Sequence, residues 1–164
     1  CLPAHTSAEE IAKLNLDGIM LSNGPGDPAD NTEIIAEIGK VASSGMAICG
    51  ICLGHQLLAL SQGAKTKKLK YGHRGGNQPV RNLTDGSICI TSQNHGYAVD
   101  ETTLPPHAKL LYENVNDKTC EGVQYDTFPG FSVQFHPEAA AGPKDSAFLF
   151  DDFLHMIATV KGGK

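Results

Sequence analysis

The stretch Gly50-Ile51-Cys52-Leu53-Gly54 constrains the fold of this chain more than any other. It follows the apolar run Met46–Gly50 and leads into a helical pattern that reaches Gln62 and is stopped by Gly63. A chain that leaves a buried strand and enters a helix within three residues needs a tight, strained turn, and only small residues fit on either side of its apex. Such a turn lifts the apex side chain off the sheet edge and sets it at a helix N-terminus, where free N–H groups and the helix dipole favour an anion. With Cys52 at the apex that anion is a thiolate, and the Leu53 N–H faces the place where an oxyanion would form. A lone cysteine at a strand end is more often a buried structural residue. The flanking glycines and the strand–helix context shift the reading to a nucleophile.

The segment before it has the same rhythm. Asp17–Ser22 reads as a short buried strand running into Asn23-Gly24-Pro25-Gly26-Asp27-Pro28, a run dense in turn formers. Asn31 or Thr32 then caps a helix to about Ser44, with Ile34, Ile35 and Ile38 on one face, and Gly45 ends it. Strand, helix, strand, helix points to an α/β fold with parallel strands. The second half differs: Ser87–Ser92, Lys109–Glu113, Glu121–Tyr125 and Phe131–Phe135 read as strands joined by turns. A last helix runs from Asp145 to about Thr159, with Phe148, Phe153, Leu154 and Ile157 on its inner face. Residues 1–160 are expected to form one domain and 161–164 a frayed tail.

At 164 residues the chain can bury a core without metals or disulfides. A formal charge of -5, with the charges scattered, argues against a nucleic-acid partner. The basic cluster Lys65–Lys70 reads as a solvated edge strand. No window of 18 apolar residues suggests a membrane span, and the first residues lack a signal pattern. Five unevenly spaced cysteines do not form a disulfide framework, so a reducing cytoplasm is the expected compartment.

A cysteine nucleophile needs a base, and the base needs an orienter. Among seven histidines, His136 stands at the end of the strand Phe131–Phe135 and is followed by Pro137 and Glu138. Residues two apart in extended chain project to one side, so Glu138 can hold the tautomer of His136. His55, three residues after Cys52, reads as a packing or capping residue. His73 and His95 lie in polar stretches, Gly72–Asn77 and Gln93–Gly96, read as loops that could line a site or merely turn the chain. Gly24-Pro25-Gly26 lets backbone N–H groups approach a ligand, and the Gly26 N–H is a second candidate oxyanion donor. The segment lacks the Gly-Lys-Ser/Thr ending of a phosphate loop. Cys49 and Cys52 also spell Cys-x-x-Cys. No second ligand pair supports zinc, and Cys49 belongs to the strand with its side chain in the core, which argues against a redox pair.

Taken in order, Asn-Gly-Pro-Gly-Asp-Pro, Gly-Ile-Cys-Leu-Gly-His-Gln, Gln-Asn-His-Gly-Tyr and His-Pro-Glu-Ala resemble the class I (triad-type) glutamine amidotransferases over about Leu16 to Ile157. Within that family the chain is most similar to glutamine-hydrolysing small subunits of carbamoyl-phosphate synthetases. The details are Gly-Asp-Pro after the first Gly-Pro, Tyr71–Asn77, and Gln93–Val99 with Tyr97 where Phe is frequent.

The resemblance implies a three-layer, flavodoxin-like α/β fold: a mostly parallel central sheet flanked by helices, with an additional small antiparallel sheet. It implies that Cys52 attacks the glutamine amide, that His136 shuttles the proton and that Glu138 orients it. It places the oxyanion hole at Gly26 and Leu53, and substrate contacts at Gly24, Gly26, Leu53, Gln56, Asn94, Gly96 and Tyr97. It further implies no metal or cofactor in this chain, and L-glutamine as substrate. The implied partner is a large subunit that carries ATP and magnesium and receives the ammonia for carbamoyl phosphate, hence for pyrimidine and arginine synthesis. By the same resemblance, a first strand, a substrate-binding serine and an N-terminal domain are expected to precede Cys1. The competing readings are a glutaminase serving anthranilate or GMP synthesis, and a non-catalytic docking domain of the same fold.

Overall fold

The computed structural model describes residues 1–139 and 145–162. In chain order the elements are α1 (Ala8–Ala12), β1 (Gly18–Leu21), α2 (Thr32–Ser43), β2 (Ala47–Ile51), α3 (Leu53–Ser61), β3 (Lys65–Asn82), β4 (Ile88–Asp100), β5 (Ala108–Asn114), β6 (Cys120–Tyr125), β7 (Gly130–Val133) and α4 (Phe148–Gly162). Single turns of 3-10 helix occupy Pro28–Asp30 and Glu101–Thr103.

The seven strands form one sheet in the order β1-β2-β7-β6-β5-β3-β4. Parallel pairing joins β1 to β2 and β2 to β7, and every later pairing is antiparallel. The α/β layering is as expected, but two details are corrected. Parallel strands are the smaller share of the sheet, and the antiparallel strands continue it rather than forming a separate one. The reason is connectivity: one helical crossover, α2, joins neighbouring parallel strands, whereas the short turns after β3, β5 and β6 reverse the chain.

Alternation along β2 builds the three layers. Ile48 faces the cluster that holds Ile38, Val41 and Ala42 of α2 and Leu57, Leu58 and Ala59 of α3. Ala47, Cys49 and Ile51 face the opposite cluster, with Phe131, Val133, Leu149 and Phe153. With all five residues buried, β2 is a strand covered on both faces, the environment typical of parallel strands.

Several boundaries differ from the sequence reading. α1 was not foreseen; it is five residues long and rests on a capping box between Ser7 and Glu10. The inner face of α4 is Leu149 and Phe153, with Met156, Ile157 and Val160 packed beside them, whereas Phe148 and Leu154 are exposed. That set keeps the i, i+4, i+7 spacing but is rotated relative to the expected one. Residues 145–147 form a turn rather than the start of this helix, and Lys161 and Gly162 belong to it; 163–164 of the expected tail lie outside the described residues.

The stretches containing His73 and His95 are not loops. They face each other as registered partners in the long β3–β4 ribbon, which also carries Lys65–Lys70. Glycine-rich polar sequence suggested turns; pairing of a neighbouring strand overrides that local preference.

Candidate active site

β2 and β7 run side by side in parallel, with Ile51 opposite Val133, so both strands end at the same edge of the sheet. Cys52 is the next residue after β2. Its backbone has φ 54 and ψ -106, a conformation that a side-chain-bearing residue adopts only when its surroundings force it, at a cost of roughly 1–3 kcal/mol. Those surroundings are visible. A Cβ on Gly50 would sit 2.8 Å from the Gly54 carbonyl oxygen, and a Cβ on Gly54 would sit 2.2 Å from the Leu21 carbonyl oxygen. The Cys52 N–H donates to the Val133 carbonyl at 2.9 Å, pinning the apex to β7. Both glycines singled out in the sequence are thus required by close approach.

His136 lies three residues beyond β7. Its N–H donates to the Ser92 carbonyl at 2.9 Å, which attaches it to β4. Its Nδ1 is 2.7 Å from Glu138 Oε1. The pairing expected between these two residues exists, but the backbone there is a turn rather than extended chain, with the Ala139 N–H reaching back to the His136 carbonyl at 3.3 Å. The imidazole is held up at about 9: contact with Cys52 is the largest cause, burial opposes it, and Glu138 adds to it. Contact with the cysteine sulfur and with Glu138 thus favours the imidazolium form of the ring. Cys52 itself is 5% exposed.

Of the other expected positions, Leu53 and Gln56 belong to the helix that begins after Cys52, and Gly24 packs against Leu53. The turn after β1 abuts the strand–helix turn at Cys52, since a Cβ on Gly24 would lie 2.8 Å from Leu53 Cδ2; Gly26, at φ +100, is exposed. The Asp27 carboxylate beside the Tyr97 hydroxyl raises that phenol above its ordinary range, so this turn also meets β4. Gln56, in the first turn of α3, is 4% exposed. Its Nε2 donates to the Tyr97 carbonyl and to Gln134 Oε1, both at 2.8 Å, which leaves only Oε1 for a ligand. Asn94 is exposed on β4, and Gly96 and Tyr97 are half-buried.

A groove of ≈ 810 Å³ runs along the free edge of β1, lined by residues such as Leu16, Met20 and Leu53; Cys52 and His136 do not line it.

The remaining candidates separate from the site. His55 is fully buried, with Nδ1 2.8 Å from Ser132 Oγ, and burial pushes it down to about 3. It is a packing residue, as expected, although its Nε2 has no partner among the described residues. Cys49 lies under α4, where burial pushes its thiol up to about 12, and both cysteines of the Cys-x-x-Cys pair are free.

His73, His95 and Glu121 bring their ligand atoms within 4.8 Å of one another. Gln93 Oε1, however, lies 3.0 Å from both His73 Nδ1 and His95 Nε2, filling the space a metal would need. His73 also reaches Glu121 Oε1 at 3.1 Å and Asp117 Oδ2 at 2.8 Å, and is held up at about 9, mainly by Glu121. Burial pushes His95 down to about 4. Sequence reasoning missed Gln93, Glu121 and Gln134. A polar residue in a buried strand run, as in Ser132-Val133-Gln134-Phe135, was the available signal, because such a group must find a partner.

A cysteine at a strained strand–helix turn, with a histidine–carboxylate pair on the neighbouring strand end of a three-layer α/β fold, is an arrangement suited to thiol-nucleophile chemistry. The sequence model of class-I glutamine amidotransferases matches residues 1–156, and the chain belongs to that family. It is 54% identical to the carbamoyl phosphate synthase small chain of Akkermansia muciniphila over 98% of this chain and 43% of that one. It is also 54% identical to the small chain of Fusobacterium nucleatum over 95% of this chain and 44% of that one. The chain thus spans less than half the length of these relatives. Among solved structures, a candidate GMP synthase protein from Thermoplasma acidophilum shares the fold, with a TM-score of 0.82 at 24% identity, covering 98% of this chain and 81% of that one.

Proposed function

We propose that this chain hydrolyses L-glutamine to glutamate and ammonia for a synthetase partner that makes carbamoyl phosphate. The observation that carries the reading is Cys52 at the apex of the strained turn, with the His136–Glu138 pair fixed on the adjacent strand end. The sulfur attacks the side-chain amide carbon. The Leu53 and Gly26 N–H groups receive the oxyanion, and His136, already protonated, passes its proton to the departing ammonia. Water, deprotonated by His136, then cleaves the thioester and returns the thiolate and glutamate. Glu138 keeps the imidazole oriented throughout.

Gln56 Oε1, Asn94, Gly24, Gly96 and the Tyr97 backbone are the proposed grip on the amino-acid end of the substrate. This chemistry asks for no metal or cofactor in the chain; ATP and magnesium belong on the large subunit, and the names of the two 54%-identical relatives support that partner. No helix among the described residues is long and apolar enough to cross a membrane, and a cytoplasmic site of action accords with this.

Labelling with a glutamine-mimicking diazo-ketone tests the proposal. The expected result is a single adduct on Cys52, located by peptide mass spectrometry, prevented by excess glutamine and absent in Cys52→Ala. An adduct that glutamine does not prevent would sink the substrate class.

A further inference from the structure

Gln134 has no place in the chemistry described above, yet it is fully buried beside the nucleophile. Its backbone N–H donates to the Glu121 carbonyl at 2.8 Å, which fixes it one step beyond β7. Its side chain ends a run of three contacts. The Tyr97 carbonyl on β4 can only accept, so the group facing it from Gln56 is the amide nitrogen, at 2.8 Å. The second hydrogen of that nitrogen is directed at Gln134 Oε1, also at 2.8 Å. With its oxygen committed, Gln134 must point its own Nε2 the other way, and there it lies 3.7 Å from Cys52 Sγ. The orientation of an amide is usually ambiguous from geometry alone. Here a backbone carbonyl sets it, and the direction passes along two side chains to the sulfur.

We propose that Gln134 is a positioning residue that presents a fixed N–H to the Cys52 thiolate and, through Gln56, ties the nucleophile to β4. A donor aimed at the charged form favours that form. The donor is prepared in advance, because rotating the Gln134 amide would bring two donors together at Gln56, and rotating the Gln56 amide with it would bring two oxygens together at Tyr97. Any ligand that shifts Tyr97 also shifts the nucleophile's hydrogen-bond partner, so substrate seating on β4 and thiolate stabilisation are one mechanical unit. The proposal rests on Cys52 being the nucleophile.

The test is the pH profile of Cys52 alkylation by iodoacetamide, read peptide by peptide, for the wild-type chain, Gln134→Met and Gln134→Glu. The methionine variant keeps the shape and removes the donor. The glutamate variant keeps the acceptor for Gln56 but sets a carboxylate against the sulfur. Expected is a displacement of the profile to higher pH, with alkylation at a fixed pH below the midpoint about tenfold slower in Gln134→Met and slower again in Gln134→Glu. Melting curves on the same preparations separate this from loss of fold, since a purely space-filling Gln134 would lower the melting temperature without moving the profile. Superimposable profiles in variants that melt within a few degrees of the wild type overturn the proposal. A wild-type chain in which Cys52 is alkylated no faster than Cys49 overturns the nucleophile reading instead.

Discussion

The two ends of the sheet use the same side chains for opposite purposes. At the parallel end, His136 has one carboxylate partner, stands beside a cysteine, and sits where β2 and β7 both terminate. In the antiparallel ribbon, His73 and His95 are shut in by Gln93, Glu121 and Asp117, and each of their ring nitrogens has a partner. Both ends contain perturbed imidazoles, and His73 and His136 are raised to the same value, about 9. A perturbed titration therefore does not by itself mark the site. What separates the two is a neighbouring cysteine sulfur and an edge: parallel strands end together and leave a ledge, while a ribbon of paired strands pairs its polar groups internally.

The largest test of this contrast removes the carboxylate at the centre of the ribbon network. Glu121→Leu leaves the His73 and Gln93 donors without their buried acceptor, and urea unfolding should show a loss of about 3–5 kcal/mol. A loss below about 1 kcal/mol, the scale of a single ordinary hydrogen bond, would mean that the network is not structural.

The next test is pH. His73 and His136 are raised above the ordinary imidazole value, so their contribution is complete below about 6.5 and is lost as pH rises through about 9. His95 and His55 are lowered to about 4 and about 3. The unfolded chain takes up their protons first, and stability falls as pH drops below about 6.5. Urea midpoints should therefore peak near neutrality, and His73→Gln should flatten the alkaline limb while leaving the acid limb in place. An alkaline limb unchanged in that variant contradicts the assignment.

A smaller effect is expected at the parallel end. Glu138 is 44% exposed at its side chain, so Glu138→Gln should slow glutamine hydrolysis by roughly 10- to 100-fold with little change in melting temperature. An unaltered rate would deny Glu138 its orienting role. The smallest effect concerns the backbone. Because Cys52 has φ 54, Cys52→Gly should be more stable than Cys52→Ala by about 1 kcal/mol, the reverse of the usual order for these residues. Calorimetric melts of the pair would show it, and the ordinary order would mean that the turn is not strained.

Much of the candidate site was legible because its signals are local. Gly50, Cys52 and Gly54 encode a close-packed turn within five residues, and His136 and Glu138 are near enough in sequence to find each other whatever the rest of the fold does. The α4 face was legible only in its spacing, since periodicity does not say which of two adjacent stripes meets the sheet. His73 and His95 were misplaced because glycines and polar residues suggest turns, and only a partner strand makes such a segment extended.

From the sequence alone came the strand–turn–helix unit, the α/β layering, the candidate nucleophile Cys52 and, separately, the His136–Glu138 pair, each of which depends on contacts between near neighbours. The tertiary structure decided the rest. It set Ile51 opposite Val133, which brings Cys52 and His136 to one edge from distant parts of the chain. It turned the antiparallel strands into a continuation of the same sheet, and it ran an amide chain from Tyr97 to the sulfur. Those features depend on strand register and on which buried polar group faces which, and both are settled only when distant segments pack and every buried donor must find an acceptor.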